Sequence, residues 1–150
     1  MPQSLSRVLV HLVFSTHQRV PNLTEDVQSQ LFPYLGGILR NLNSPAIQVG
    51  GHEDHVHILF GLSRTLSIAQ TVEKVKAASS GWIKEQFPLR KSFSWQAGYA
   101  SVSVHSCDYN GVVNYILSQK EHHKKVSFMD EYRQMLELSG VEYDERYMWD

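Results

Sequence analysis

His55 and His57, two histidines separated by one residue, are the side chains in this sequence best suited to metal chemistry. They stand in the run HVHILFGL, whose apolar and β-branched residues predict a strand. Because successive side chains of a strand point to opposite faces, the two imidazoles share one face and lie roughly 6 to 7 Å apart. A ring nitrogen of each can then bind the same divalent cation. So short a pattern is also common on solvated strand faces, and it needs support from other residues.

Tyr115 and Gln119 provide that support. They are four residues apart in a segment that predicts a helix, so their side chains project from one helix face about one turn from each other. A packed tyrosine beside a solvated glutamine is the alternative interpretation. If this helix covers the sheet face that carries the two histidines, the group forms a metal-assisted site with a phenol nucleophile.

The order of the predicted elements shows how these residues could meet. Strands are predicted at residues 7–16, 46–49, 55–62 and 99–105, and helices at 24–42, 67–88, 108–117 and about 129–138. The order β-α-β-β-α-β followed by a helix is typical of the α+β, ferredoxin-like split βαβ fold. It predicts a four-stranded antiparallel sheet with two helices on one face and the tyrosine-bearing helix on or toward the other. That second face needs a cover, either this helix, a second subunit or a nucleic acid.

Length and composition indicate one folded domain. The 150 residues are 42% hydrophobic and 19% charged, far from the composition of disordered chains. We expect a single domain at residues 1–150 that includes an acidic helical tail at about 127–150. No apolar run approaches the ~20 residues of a membrane span, and no secretory leader is recognisable, so we expect a cytoplasmic protein. Cys107 is the one cysteine, which excludes an internal disulfide and zinc–thiolate clusters.

Charge is distributed unevenly along the chain. Residues 1–125 hold 12 Lys and Arg against 8 Asp and Glu, whereas residues 126–150 hold 2 against 7. A basic surface on the first part could bind phosphates while the acidic tail lies away from it or screens it. Candidate DNA contacts, with solvated helix faces as the alternative, are Arg19, Lys74, Lys76, Lys84, Lys120, Lys124 and Lys125.

Three further histidines receive structural interpretations. His11 stands in the first apolar strand and is expected to be a hydrogen-bonded core residue. His122 and His123 follow Tyr115 by one to two helical turns, where they could contact DNA or move a proton. We favour ordinary helix-end histidines for both.

Three segments, HVHILF, WQAGYASVSVH and NYILSQKEHHKK, resemble the single-tyrosine HUH transposases of the smallest bacterial insertion sequences. Their domesticated relatives, associated with repetitive extragenic palindromes, are similar as well. The resemblance runs from HLVFSTHQR in the first strand to SGVEYDERYMW near the C-terminus, nearly the whole chain. It implies that His55 and His57 bind Mg²⁺ or Mn²⁺, that Tyr115 is the nucleophile, and that Gln119 completes the metal shell.

The same resemblance implies a reaction and partners. The chain would cleave and rejoin single-stranded DNA at hairpin-bearing element ends through a 5′-phosphotyrosine. It would act as a homodimer whose active sites are shared between subunits, and the alternating strand YASVSVH offers a dimer edge. Alternatives are a domesticated single-strand endonuclease acting on palindromic repeats, or a non-catalytic ferredoxin-like nucleic-acid-binding module. A two-histidine phosphodiesterase is excluded, because His57-Ile58-Leu59 does not form the His-x-Thr/Ser motif.

Overall fold

A computed structural model describes residues 2–150 of the chain. The strands are β1 (Leu9–Ser15), β2 (Ala46–Gly51), β3 (His55–Gly61) and β4 (Ala100–Val104). The helices are α1 (Glu25–Asn41), α2 (Ile68–Gln86), α3 (Tyr109–Leu117), α4 (Gln119–His122) and α5 (Phe128–Leu138). Every strand and helix predicted from the sequence is present, and α4 is a single additional turn.

The four strands form one antiparallel sheet in the order β2-β3-β1-β4. This arrangement confirms the predicted α+β, ferredoxin-like class. The two central strands, β1 and β3, are buried almost throughout, as their nearly continuous apolar sequences require. Within β3, His57 pairs with Val13 on β1 and with Gly50 on β2, so its backbone is fixed from both sides.

One face of the sheet is closed by α1 and α2. Alternate residues of β3, Val56, Ile58 and Phe60, are fully buried in the core between the sheet and these helices. Each such side chain stabilises the fold by about 1.5–3 kcal/mol. Because β3 places these residues on the helix side, the strand's alternation directs His55 and His57 to the opposite face.

The opposite face is covered by two helices rather than by one. Ile116 of α3 packs on Leu9 and Leu59, and a second cluster joins α5 to the sheet. In α5, residues Phe128, Tyr132 and Leu136 recur every four positions and form the buried stripe. From the sequence, this helix is predicted to belong to an acidic tail; in the structure it packs against the same sheet face as the tyrosine helix.

The WQAG segment before β4 is fixed by contacts with α2. Lys76 donates from Nζ to the carbonyls of residues 96 and 98 at 2.8 and 2.6 Å, and to that of residue 97 at 3.3 Å. Trp95 donates from its indole to the Ser79 hydroxyl at 2.9 Å. Burial lowers the pKa of Lys76 to about 8, which is still above neutral pH, so the amine stays protonated and donates.

The contact between β2 and α3 leaves no room for a side chain at Gly50. A Cβ there would lie 2.6 Å from the Ile116 carbonyl oxygen and 2.7 Å from its Cγ2. Because Ile116 directly follows Tyr115, this close approach also sets the height of the tyrosine above the sheet. Gly61, at the end of β3, has no atom within 4 Å of the equivalent position.

We therefore expect Gly50→Ala to lower the free energy of unfolding by about 1–3 kcal/mol, because α3 must move away from β2. Gly61→Ala, the matched control in the same sheet, should change it by less than about 0.5 kcal/mol. Urea unfolding followed by circular dichroism measures both values. Equal unfolding free energies for the two variants would contradict a tight α3–β2 contact.

Candidate active site

His55 and His57 lie side by side beneath α3 and α5, and both are completely buried. Their ring centroids are 5.2 Å apart, and the Phe128 ring of α5 stacks on His55 at 4.2 Å. The sequence predicts that this face of the sheet needs a cover, either α3, a second subunit or a nucleic acid. The chain itself supplies the cover, so the two imidazoles occupy a dry environment in which electrostatic interactions are strong.

Tyr115 and Gln119 reach the same place from the far side. The Tyr115 ring lies 5.7 Å from the His57 ring, and Gln119 Oε1 lies 2.9 Å from His55 Nε2. The four residues predicted to form a site thus come together within one chain. They meet because α3 crosses above β3 with Tyr115 facing the sheet, and Gln119 follows one turn later.

Glu131 of α5 stands at the centre of this group and was not predicted. Its side chain is buried, and Oε1 lies 3.0 Å from His57 Nε2 and 3.5 Å from His55 Nε2. Its Oε2 accepts hydrogen bonds from the Tyr115 hydroxyl and, at 3.1 Å, from the Gln119 amide. Helical spacing is the sequence signal that could have identified Glu131. Residue 131 lies three positions after Phe128, on the buried face of α5, whereas the other acids of the tail face solvent.

Three more histidines complete the surroundings of Glu131. His11 lies in the core as expected, but its Nε2 is 2.8 Å from Nδ1 of His57. Nε2 of His123 is 3.1 Å from Glu131 Oε1, and Nε2 of His122 is 3.2 Å from Oε2. The interpretation of His123 as an ordinary helix-end residue is therefore wrong, because the α4 turn directs its ring toward Glu131. The side chain of His122 is 26% exposed, and its role stays a prediction. We call these five residues the histidine cluster: His11, His55, His57, His122 and His123.

Burial and mutual contact shift the pKa values of the site. Burial lowers the pKa of His57 to about 4, against the opposing effect of Glu131, and lowers that of His11 to about 3. Although burial alone would raise the pKa of Glu131, hydrogen bonds from His123 and His57 lower it strongly. Burial, together with Glu131, raises the pKa of Tyr115. At neutral pH the site thus contains an ionised carboxylate that accepts from a neutral phenol.

The donor set fits a divalent cation. One ring nitrogen of His55, one of His57 and one carboxylate oxygen of Glu131 all lie within 4.8 Å of one another. Imidazole nitrogen and carboxylate oxygen are common ligands of first-row divalent metals. The amide oxygen of Gln119, beside His55, is a further donor. The predicted ligands are therefore adjacent, and Glu131 adds the anionic oxygen that the predicted set did not contain.

A cleft of about 530 Å³ between α3 and α5 leads from the surface to the tyrosine. Its inner end contains Tyr115, Glu131 and His11. Its other lining residues include Val112, Met135 and Leu138, which are apolar. Tyr115 thus borders the cleft, whereas the histidine pair behind it is buried.

The basic residues predicted to contact DNA have varied surroundings. Lys120 and Lys124 each pair with an exposed glutamate, and the Arg19 guanidinium lies 5.0 Å from the centre of the Trp149 ring. Lys74, Lys84 and Lys125 are exposed, and none of them has such a partner among residues 2–150. Lys76 is engaged by the three carbonyls of the WQAG segment. A DNA contact by the other six stays a prediction.

No helix within residues 2–150 has both the length and the apolar character needed to cross a membrane.

A sequence model of the family described as "Transposase IS200 like" matches residues 4–119. The matched segment contains both sheet histidines, Tyr115 and Gln119, and it ends before His123 and Glu131. No curated protein matches the chain.

Two solved structures are similar in fold. A candidate transposase from Deinococcus radiodurans is 23% identical, with a TM-score of 0.65 over 79% of this chain and 98% of that one. A REP-associated tyrosine transposase bound to a REP hairpin is 15% identical, with a TM-score of 0.61 over 84% of this chain and 74% of that one. At such identities the likeness shows a shared fold.

Proposed function

The chain belongs to the IS200-like transposase family, and on that premise we propose that it cleaves and rejoins single-stranded DNA through Tyr115. Membership confirms the family resemblance found in the sequence. The observation that carries the proposal is the Tyr115 hydroxyl, which donates to Glu131 beside the buried histidine pair and at the end of an open cleft. A nucleophile, a proton acceptor and metal-binding side chains share one site.

The reaction begins with attack of the Tyr115 hydroxyl oxygen on the phosphorus of the scissile phosphodiester. The bond from phosphorus to the 3′ oxygen breaks, and a 5′-phosphotyrosine forms. The phenol proton passes to the Glu131 carboxylate, and the departing 3′ oxygen takes a proton from solvent. Because the adduct retains the phosphodiester energy, the 3′-hydroxyl of another end can reverse the step and join new strands without ATP.

Glu131 is needed because the phenol does not ionise on its own. Tyrosine has a pKa near 10 in water, and the buried site raises the pKa of Tyr115 further. The proton must therefore leave while the new bond forms, toward an acceptor already in hydrogen-bond contact. The Glu131 Oε2 atom, which accepts from the Tyr115 hydroxyl, meets that requirement.

His55 and His57, with Glu131 and Gln119 as oxygen donors, would hold Mg²⁺ or Mn²⁺. When bound, the cation would withdraw negative charge from a non-bridging oxygen of the scissile phosphate. The chain keeps its two imidazoles in place through their second nitrogens: Nδ1 of His55 is 2.7 Å from Asp54, and Nδ1 of His57 is 2.8 Å from His11. Such outer contacts orient metal-binding histidines.

We further propose that the substrate is a hairpin-bearing single strand and that the protein acts on it in the cytoplasm. A structural neighbour, the REP-associated tyrosine transposase, is bound to a REP hairpin in its own structure, which supports this choice. The same neighbour also supports the alternative function, a domesticated endonuclease that acts on palindromic repeats. Cleavage without strand joining on genomic palindromes, and no cleavage at element ends, would favour the alternative.

With end-labelled, hairpin-bearing single strands and Mn²⁺, we expect an SDS-resistant protein–DNA adduct that disappears in Tyr115→Phe, because phenylalanine has no nucleophilic oxygen. Tyr109→Phe is the matched control on the same helix and should retain the adduct. Peptide mapping of the labelled species locates the modified residue. DNA binding without any adduct in the wild-type protein would favour the non-catalytic module instead.

Replacing Glu131 with glutamine should slow adduct formation by about 10²-fold or more, because an amide does not accept the phenol proton. Glu137→Gln, on the exposed side of α5, should leave the rate unchanged. Single-turnover gel kinetics at saturating DNA separate this effect from weaker binding. A wild-type rate in Glu131→Gln would remove the carboxylate from the mechanism.

The sharing of sites between subunits is testable by mixing inactive variants. Because α3 rests on the sheet of its own chain through Ile116, we expect that Tyr115→Phe and His57→Ala proteins do not rescue each other. Adduct yield after co-refolding of the two variants is the measurement. Rescue would show that a partner's tyrosine helix completes the site, as predicted from the sequence. Dimerisation itself stays a prediction, to be checked by sedimentation.

A further inference from the structure

A cleft of about 1000 Å³ lies at the end of the sheet opposite the histidine pair. Its lining residues come from three stretches: 4–9, which lead into β1, 43–47, which lead into β2, and 61–65, which follow β3. These stretches meet because β1 and β3 are antiparallel and pair Leu9 with Gly61, while β2 begins beside Phe60. We call this space the N-terminal cleft.

The side chains that line the N-terminal cleft suit phosphate groups. Arg7 and Arg64 supply two guanidinium groups, and the other hydrogen-bond donors include Asn43, Ser63 and Thr65. Among residues 2–150, no aspartate or glutamate lines the cleft. Guanidinium, hydroxyl and amide groups are the side-chain groups that bind the phosphate oxygens of nucleic acids.

The chain does not neutralise the charge of these two arginines. Arg64 donates from Nη1 to the Ser4 carbonyl oxygen at 2.9 Å, and the Arg7 guanidinium lies 5.7 Å from the centre of the Tyr109 ring. Neither arginine has a carboxylate partner among residues 2–150, whereas Arg146 pairs with an aspartate at 2.8 Å. Although the formal net charge of the chain is −1, the cleft therefore carries two positive charges with no acid beside them.

The same composition distinguishes between paired and unpaired nucleic acid. No aromatic side chain of the described residues lines the N-terminal cleft. Surfaces that bind single strands combine positive charge with aromatic rings on which the unpaired bases stack. A duplex keeps its bases stacked inside and presents its phosphates, so charge and hydrogen-bond donors are sufficient to bind it. The cleft therefore favours a double-stranded backbone.

We propose that the N-terminal cleft binds the phosphate backbone of the paired stem of a hairpin-bearing DNA through Arg7 and Arg64. The inference rests on the proposed function in that it takes the same DNA as the substrate, and it adds the surface that holds the paired part. Neither arginine is among the residues predicted from the sequence to contact DNA.

The cleft is remote from the residues proposed to carry out the chemistry. Strand β3 runs from His55 to Gly61, so the cleft lies roughly 15–20 Å from the histidine pair along the strand. The scissile single strand at Tyr115 and the stem would then contact separate surfaces of the protein. Substitutions in the cleft should therefore change DNA binding without changing the rate of the chemical step.

Hairpin binding by variants of the full chain tests the proposal. With a labelled hairpin that carries a single-stranded flank, in metal-free buffer, Arg7→Gln and Arg64→Gln should each raise the Kd by roughly 3- to 10-fold. Each should also lower the slope of log Kd against log salt concentration by about 1, because one phosphate contact is lost. Arg146→Gln, which removes an equal charge elsewhere, is the matched control and should change neither value.

An unpaired strand with the sequence of the flank, but without the stem, distinguishes the two kinds of backbone. Both cleft variants should bind this strand with the wild-type Kd. Their single-turnover adduct rates at saturating hairpin should stay within about twofold of the wild-type rate, since neither arginine lines the cleft at Tyr115. Equal weakening for paired and unpaired DNA would overturn the assignment to the stem.

Chemical protection of the wild-type protein does not depend on a variant that folds. Bound hairpin should protect Arg7 and Arg64 from phenylglyoxal while Arg146 continues to react, as measured by mass spectrometry of peptides. Unprotected cleft arginines, or wild-type hairpin affinity and salt slope in a folded Arg7→Gln/Arg64→Gln double variant, would overturn the proposal. A Tyr115-dependent adduct in that case would leave the proposed DNA chemistry intact, whereas arginine-dependent hairpin binding without an adduct would overturn only that chemistry.

Discussion

The buried carboxylate of Glu131 is the interaction on which the site depends. Taking an ionised carboxylate out of water is costly unless hydrogen-bond donors and positive charge surround it. Here the donors are the Tyr115 hydroxyl, the Gln119 amide and imidazole groups of the sheet and of α4. The tyrosine helix, the central strand and the C-terminal helix thus meet at one charge, and moving the tyrosine helix or the strand removes a hydrogen-bond donor from it.

Rigid elements deliver the side chains to this charge. The histidine pair stands on a central strand that is bonded on both sides, and the tyrosine helix is held against β2 by the close contact at Gly50. Catalytic geometry requires such support, because small displacements of a nucleophile cost large factors in rate. The WQAG segment belongs to this framework as well, since Lys76 binds its carbonyls and Trp95 packs in the core.

Family membership and side-chain geometry contribute different parts of the functional argument. The family match covers residues 4–119 and establishes the class of protein. The proposed proton acceptor, Glu131, comes from residues 120–150, where the match does not extend. In this chain the C-terminal helix is therefore proposed to take part in the chemistry as well as covering the sheet.

The sequence by itself determined the order of elements, and with it the ferredoxin-like class. It also determined which residues share a face: alternation placed His55 and His57 together on β3, and helical spacing placed Tyr115 one turn from Gln119. Such local periodicity follows from backbone geometry and needs no knowledge of distant residues.

The role of Glu131 depended on which helix covers that face, and 74 residues separate it from His57. Only tertiary packing decides such a contact, because an acid on an amphipathic helix is equally compatible with solvent until the partner surface is known. The same reason applies to Lys76, whose carbonyl partners come from another loop, and to His123, whose inward direction is set by a single turn of helix.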